Sequence, residues 1–201
     1  NYRKRLQYQT YAVPLREGLN RLTLTLANGW YKGKLGFMPQ PNLYGDTTAA
    51  LAALCITYAD GREEWIGTDE NWLSTTGAIQ SSEIYDGETQ DFTAQPAAPQ
   101  PAKLFDYGFA TIIGQENEPV RCLQRLPVIK EFTTPKGEKV YDFGQNLTGW
   151  VEVEIYGEPG QTLTLRHAES LDENGNFYTE NLSFAKATDT YILRGGKQTL
   201  H

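Results

Sequence analysis

The sequence predicts an all-β chain, and three observations carry that prediction. Apolar and polar residues alternate with a period of two along much of the 201 residues, the helical period of 3.6 hardly occurs, and the alternating runs are short and separated by Gly, Pro, Asn and Asp. One stretch divides them: "TAQPAAPQPAK", residues 93–103, carries three prolines that deny donors to a sheet and stiffen the chain. The expected architecture is two antiparallel β-sandwich, jelly-roll-like modules: residues 1–93, a Pro-rich linker over 94–117, and residues 118–201. The chain opens directly on a strand pattern, "RLQYQTYAV", and stops as "TYILRGGKQTLH" starts what reads as a hairpin, so both modules are expected to be truncated.

Taken in order, the first clear strand is "NRLTLTLANG", where Leu22, Leu24 and Leu26 share one face, Thr23 and Thr25 the other, and Asn28–Gly29 supplies a turn. The segment "TTAALAALCITYADGREEWIG" is rich enough in Ala and Leu to begin as a helix. The Asp60–Gly61 pair between Tyr58 and Trp65 favours a tight hairpin instead. Beyond the prolines, "GEKVYDFGQN", "GWVEVEIYGEPG", "QTLTLRHAES" and "ATDTYILRGG" read as strands. Trp150 is expected to anchor the strand that follows it, in a stretch that reads as a shaped corner before it reads as a site.

Composition narrows the function classes. A net charge of −7 disfavours a general nucleic-acid or anionic-membrane surface, because both need clustered cations, and Arg3, Lys4 and Arg5 form the one short basic run. No apolar run is long enough for a membrane-spanning helix. Two cysteines, Cys55 and Cys122, define no disulfide framework and fix no compartment.

Three stretches could carry chemistry. In "QTLTLRHAE", Leu163, Leu165, His167 and Glu169 share a face, so His167 reads as a hydrogen-bonded structural histidine or as a base or metal ligand beside a carboxylate. An independent enzyme using His167 with Glu169 or Asp172 is one function that this leaves open. "LDENGNFYTEN" places Asp172, Asn174 and Asn176 at alternating positions like a calcium loop. Phe177 and Ser183 stand where such a loop needs Gly and Glu, and Asn174–Gly175 is a turn pair. In "NGWYKGKLGFMPQPNLYGD", Trp30, Tyr31, Phe37 and Tyr44 are interleaved with Asn42 and Asp46. Aromatic faces beside amides and carboxylates suit a sugar, whose CH faces stack while its hydroxyls find acceptors or share a hard cation. The same aromatics could equally plug the end of a sandwich.

"YRKRLQYQTYAV", "NGWYKGKLGF", "YGD", "TDENW" with "IYDGET", and "YDFGQNLTGWVEVEIYGEPGQTLTLRHAESLDENGNFYTENLSFAKATDTYILRGG" resemble, in order, segments of the non-catalytic N-terminal half of bacterial α-L-rhamnosidases. The resemblance implies a first module similar to one that binds rhamnose through calcium, and a second similar to the concanavalin-like sandwich that precedes the catalytic domain. It further implies that the family's inverting hydrolysis of terminal α-L-rhamnose uses acidic residues of a downstream (α/α)6 barrel. No catalytic residue is therefore assigned here, since inversion needs two carboxylates about 6.5–9.5 Å apart. The expected carbohydrate-binding residues are Trp30, Phe37, Asn42, Tyr44 and Asp46, with Asn42 and Asp46 as calcium ligands. The expected partners are a rhamnose-containing glycan and the downstream catalytic domain. A purely structural spacer is the remaining alternative.

Overall fold

The computed structural model describes residues 2–201, and the chain is almost entirely β. It forms two compact units, each assembled from separated segments: Asn1–Gly77 with Gln95–Glu118, and Ala78–Ala94 with Pro119–His201. This redraws the expected boundaries of 1–93, 94–117 and 118–201 in two places, and both have a hydrogen-bonding cause.

The first unit is built of paired ribbons. β1 (Leu6–Tyr8) lies parallel to β8 (Ile112–Gly114), β2 (Ala53–Thr57) is antiparallel to β3 (Glu63–Gly67), and β4 (Leu73–Ser74) is antiparallel to β7 (Gln100–Pro101). The β2–β3 hairpin forms where Asp60–Gly61 predicts it. Gly61 takes the left-handed φ of 84° that the turn requires, the Asp60 carboxylate accepts from the Arg62 amide at 3.0 Å, and the Arg62 guanidinium covers the Tyr58 ring at 4.0 Å. The proline-rich stretch is tied down instead of linking: the Thr75 hydroxyl donates to the Ala97 carbonyl at 2.6 Å, and the Ala102 amide to the Trp72 carbonyl at 2.7 Å. Prolines deny donors to a ladder, but their carbonyls and the amides between them remain available.

The expected strand over Leu22–Leu26 does not form. No ladder neighbour runs beside it among the described residues, and the three leucines are 47%, 40% and 51% exposed. Alternation alone gives a half-apolar ribbon; a strand requires a partner for its amides and carbonyls.

The second unit is a two-layered sandwich. One layer is β11 (Val153–Gly157) against β16 (Gly196–Leu200); the other has the order β12 (Thr162–Arg166), β15 (Thr188–Ile192), β6 (Gly87–Asp91), β5 (Ile79–Glu83). Tyr191, Leu193 and Leu200 are the buried apolar centre, with Phe92, Ile155, Leu163 and Leu165 packed on it. The alternation in "TLTLR" thus sends Leu163 and Leu165 inward as expected. β15 and β16 do not form the expected hairpin; the chain crosses at Gly195–Gly196 from one layer to the other. β9 (Lys130–Thr133) with β10 (Lys139–Asp142), and β13 (Ser170–Leu171) with β14 (Phe177–Tyr178), add two further ribbons. Trp150 lies before β11 and is 61% exposed, so it is no buried anchor.

The β5–β6 hairpin comes from residues expected in the first module, yet β6 pairs in parallel with β15, in the register Thr89↔Thr190, Gln90↔Tyr191 and Asp91↔Ile192. Its tip is fastened too: the Lys186 and Ala187 amides donate to the Tyr85 carbonyl at 2.9 and 3.1 Å, and the Tyr85 and Phe184 rings meet edge to face. Gly87 makes the approach possible. Its φ is +100°, and a Cβ there would lie 2.1 Å from the Thr188 carbonyl oxygen. Gly87→Ala is therefore expected to lower stability of the second unit by about 2 kcal/mol or more, through backbone strain and displacement of β6. Urea denaturation followed through the amide resonances of β15 checks this; an unchanged midpoint would show that the hairpin is not docked as described.

Candidate functional site

The loop of the first unit that carries the expected sugar-binding residues is held by its backbone. A single helical turn, α1 (Gly29–Lys32), presents Trp30 and Tyr31, and its C-terminal Gly33 amide closes on the Gly29 carbonyl at 3.1 Å. Leu35 and Gln40 exchange two hydrogen bonds of 3.3 Å, which closes a tight loop whose tip exposes 92% of Phe37. Asn42 then enters the left-handed region at φ 62° while its amide donates to the Lys32 carbonyl at 2.8 Å. A short polar side chain is among the few that tolerate this backbone. The Tyr44 amide reaches the Tyr31 carbonyl at 3.4 Å, which returns the chain to the helical turn.

A cluster of three tyrosines underlies this loop. Tyr2 packs edge-on against Tyr31 at 5.6 Å and against Tyr44 at 5.1 Å, and Gly45 passes so close to the Tyr31 ring that a Cβ would meet its hydroxyl at 2.2 Å. Tyr44 is therefore half-buried in an aromatic cluster, whereas Trp30, Phe37, Asn42 and Asp46 are exposed. The donors for a hard cation are oxygens: the Asn42 amide, the Asp46 carboxylate and loop carbonyls. Asp46 is the sole carboxylate between Gly29 and Asp46, its Oδ1 also accepts from the Thr47 hydroxyl at 3.1 Å, and no group of three His, Cys, Asp or Glu is gathered among the described residues. The donor chemistry suits calcium, but a shell of six to eight oxygens would have to be completed by groups outside this pair.

His167 has a different partner from those expected. Its Nε2 lies 2.9 Å from Asp189 Oδ2, while Asp189 Oδ1 accepts from the Glu88 amide at 2.9 Å. Asp189 thus joins β12, β15 and β6. The His167 hydrogen bond is the largest influence on its carboxyl and, with the Glu88 amide, holds it below the ordinary aspartate range although burial works the other way. Glu169 is exposed. The Asp172 carboxylate serves its own turn, accepting from the Asn174 and Asn176 amides at 2.9 and 2.7 Å, so the loop is the hairpin that Asn174–Gly175 predicts. Asp189 was not among the expected residues. The signal for it is its phase: it alternates with Tyr191 and Leu193 in "TDTYIL", which puts a carboxylate on the apolar face.

Glu138 is a second carboxylate that links elements. Burial raises its carboxyl, but hydrogen bonds from the Arg166 guanidinium, the Phe177 amide and the Thr134 hydroxyl outweigh this and hold it low. Both carboxylates are stabilising when ionised. Their contribution is present above the ordinary carboxylate range and is lost as the pH falls through their depressed native values. Asp189→Ala is expected to cost about 2 kcal/mol at neutral pH, and the gap between variant and parent should narrow in urea titrations at acid pH. A gap of constant size would remove Asp189 from the account.

Comparison with known proteins supplies the family. A family model described as the alpha-L-rhamnosidase N-terminal domain matches residues 1–122, and one described as the bacterial alpha-L-rhamnosidase concanavalin-like domain matches residues 132–201. An alpha-L-rhamnosidase of Streptomyces avermitilis is 40% identical over 99% of this chain and 21% of its own length. The crystal structure of native α-L-rhamnosidase from Aspergillus terreus superposes with a TM-score of 0.76 at 34% identity, over 86% of this chain and 21% of that one. That of the Streptomyces avermitilis enzyme complexed with L-rhamnose gives 0.74 at 35% identity, over 87% and 18%. The chain thus spans about a fifth of the length of the curated relatives it matches. With family models over residues 1–122 and 132–201 and a relative 40% identical over 99% of this chain, the chain belongs to the bacterial α-L-rhamnosidase family.

Proposed function

We propose that the chain is an accessory, carbohydrate-binding part of a protein that hydrolyses terminal α-L-rhamnosides with inversion, and that the loop from Gly29 to Asp46 contacts the sugar. The observation that carries this reading is the pairing of exposed apolar faces, Trp30 and Phe37, with exposed oxygen ligands, Asn42 and Asp46, on one loop braced from below by Tyr2, Tyr31 and Tyr44. Rhamnose carries a C6 methyl group and vicinal hydroxyls. An aromatic face would take the methyl group, and a calcium ion held by Asn42 and Asp46 would draw a vicinal hydroxyl pair into its shell, which other oxygens would complete. Hydrolysis itself is assigned to carboxylates of the parent's catalytic domain.

A single sugar in a shallow site binds weakly, with a Kd of about 1 mM, or about −4 kcal/mol. Calorimetric titration of L-rhamnose into the chain, with and without calcium, is expected to give calcium-dependent binding that Asp46→Ala abolishes and that Trp30→Ala weakens severalfold. Binding that survives Asp46→Ala with its calcium dependence intact would put the site elsewhere, and absence of binding would favour a structural spacer.

A further inference from the structure

The second unit carries a cavity of about 210 Å³ at the mouth of its sandwich, lined by Glu88, Trp150, Val151, Asp189, Tyr191 and His201. Its walls follow from the strand phases. On the four-stranded layer, Asp189 and Tyr191 of β15 face inward, and Glu88, Gln90 and Phe92 fall in one phase on and just beyond β6. Tyr191 also belongs to the buried apolar centre with Leu193 and Leu200, so the cavity borders the core through its phenol ring. The opposite wall comes from the residues flanking the two-stranded layer, Trp150 and Val151 before β11 and His201 after β16.

The polar groups are fixed. Gln90 Nε2 donates to Glu88 Oε1 at 2.6 Å, and the Tyr191 hydroxyl donates to the His201 carbonyl at 3.2 Å. Asp189 is held from both sides by His167 and the Glu88 amide. Burial, followed by the nearby Asp189 and Glu88 carboxylates, pushes the Tyr191 phenol up, in keeping with two carboxylates directed into one small space. Trp150, 61% exposed, contributes an indole that the core does not use.

We propose that this cavity binds one neutral sugar ring, with Trp150 stacking on its CH face and the Glu88 and Asp189 carboxylates accepting from its hydroxyls. Size limits the ligand to a single ring, because the volume falls below the roughly 300 Å³ at which pockets begin to hold drug-sized molecules. Charge limits it to a neutral sugar: two carboxylates with no lining lysine or arginine accept hydroxyl protons well and repel a uronate or a sulfated sugar. The larger cavity of about 490 Å³ beside the Asp172 turn is a weaker candidate, since no tryptophan lines it to stack on a ring.

The site is distinct from the Gly29–Asp46 loop, and its test keeps the two apart. In nitrogen–proton correlation spectra of the 201-residue chain, the Trp150 indole resonance, assigned with Trp150→Phe, is followed during titration with L-rhamnose, methyl α-D-mannoside and D-glucuronate in the absence of calcium. At least one neutral sugar should shift it with a millimolar midpoint and glucuronate should not; Glu88→Gln should weaken that response at least threefold, and Asp46→Ala should leave it unchanged. A resonance unmoved by both neutral sugars, an equal response to glucuronate, or a response insensitive to Glu88→Gln would each overturn the proposal. Because Trp150 and Glu88 lie outside the buried apolar centre, unchanged dispersion of the remaining spectrum establishes that the variants are folded.

Discussion

The structure depends on one long-range pairing: the parallel match of β6 with β15, between backbones 101 residues apart where the Glu88 amide meets Asp189. Parallel pairing cannot be made by a tight turn, and closing so long a loop costs entropy before any contact returns it. What offsets that cost is concentrated at the junction. Phe92 enters the core directly after β6, the tip of the hairpin is bonded to the Lys186–Thr188 backbone, and Asp189 fastens Glu88 and His167 together. Without the hairpin, β15 would be an open edge with Tyr191 and Leu193 beside it.

The same pairing marks the limit of what the sequence could reveal. Local features were legible because their causes are local: Asp60–Gly61 and Asn174–Gly175 dictate their turns through residues within reach of one another, and Leu163 and Leu165 declare their face by alternation. Nothing near Thr89 specifies Thr190, so the hairpin was assigned to the module that precedes it. Leu22, Leu24 and Leu26 alternate without a ladder, and β15 and β16 are joined by glycines that turn the chain between layers instead of within one. The prolines at 96, 99 and 101 identified a stretch unable to sit in a central strand, yet Gln100–Pro101 serves well enough as an edge.

The residues of the proposed sites divide in the same way. Trp30, Phe37, Asn42 and Asp46 were legible as types in a loop, because exposure of aromatics beside oxygen ligands is a matter of local composition. Tyr44 turned out to serve the loop's support as well, through Tyr2, a contact across about forty residues. His167 was legible as a histidine next to a core face, but its carboxylate partner came from a strand with which "QTLTLRHAE" pairs, not from the stretch itself. Trp150 reads as an anchor from composition, since a tryptophan after a glycine turn commonly packs inward; its exposure follows from β11 starting only at Val153. Side chains left outside a core in this way are available for ligands, and both sugar-binding readings rest on them.

If residues 78–94 fold as part of the second unit, their backbone must share that unit's stability. Site-resolved amide hydrogen exchange on the intact chain measures this directly. The amides of the β6 ladder should exchange with the same opening free energy as those of β15, and both sets should respond together to denaturant. Exchange of β6 at the free energy of the β2–β3 hairpin, or independently of β15, would contradict the account.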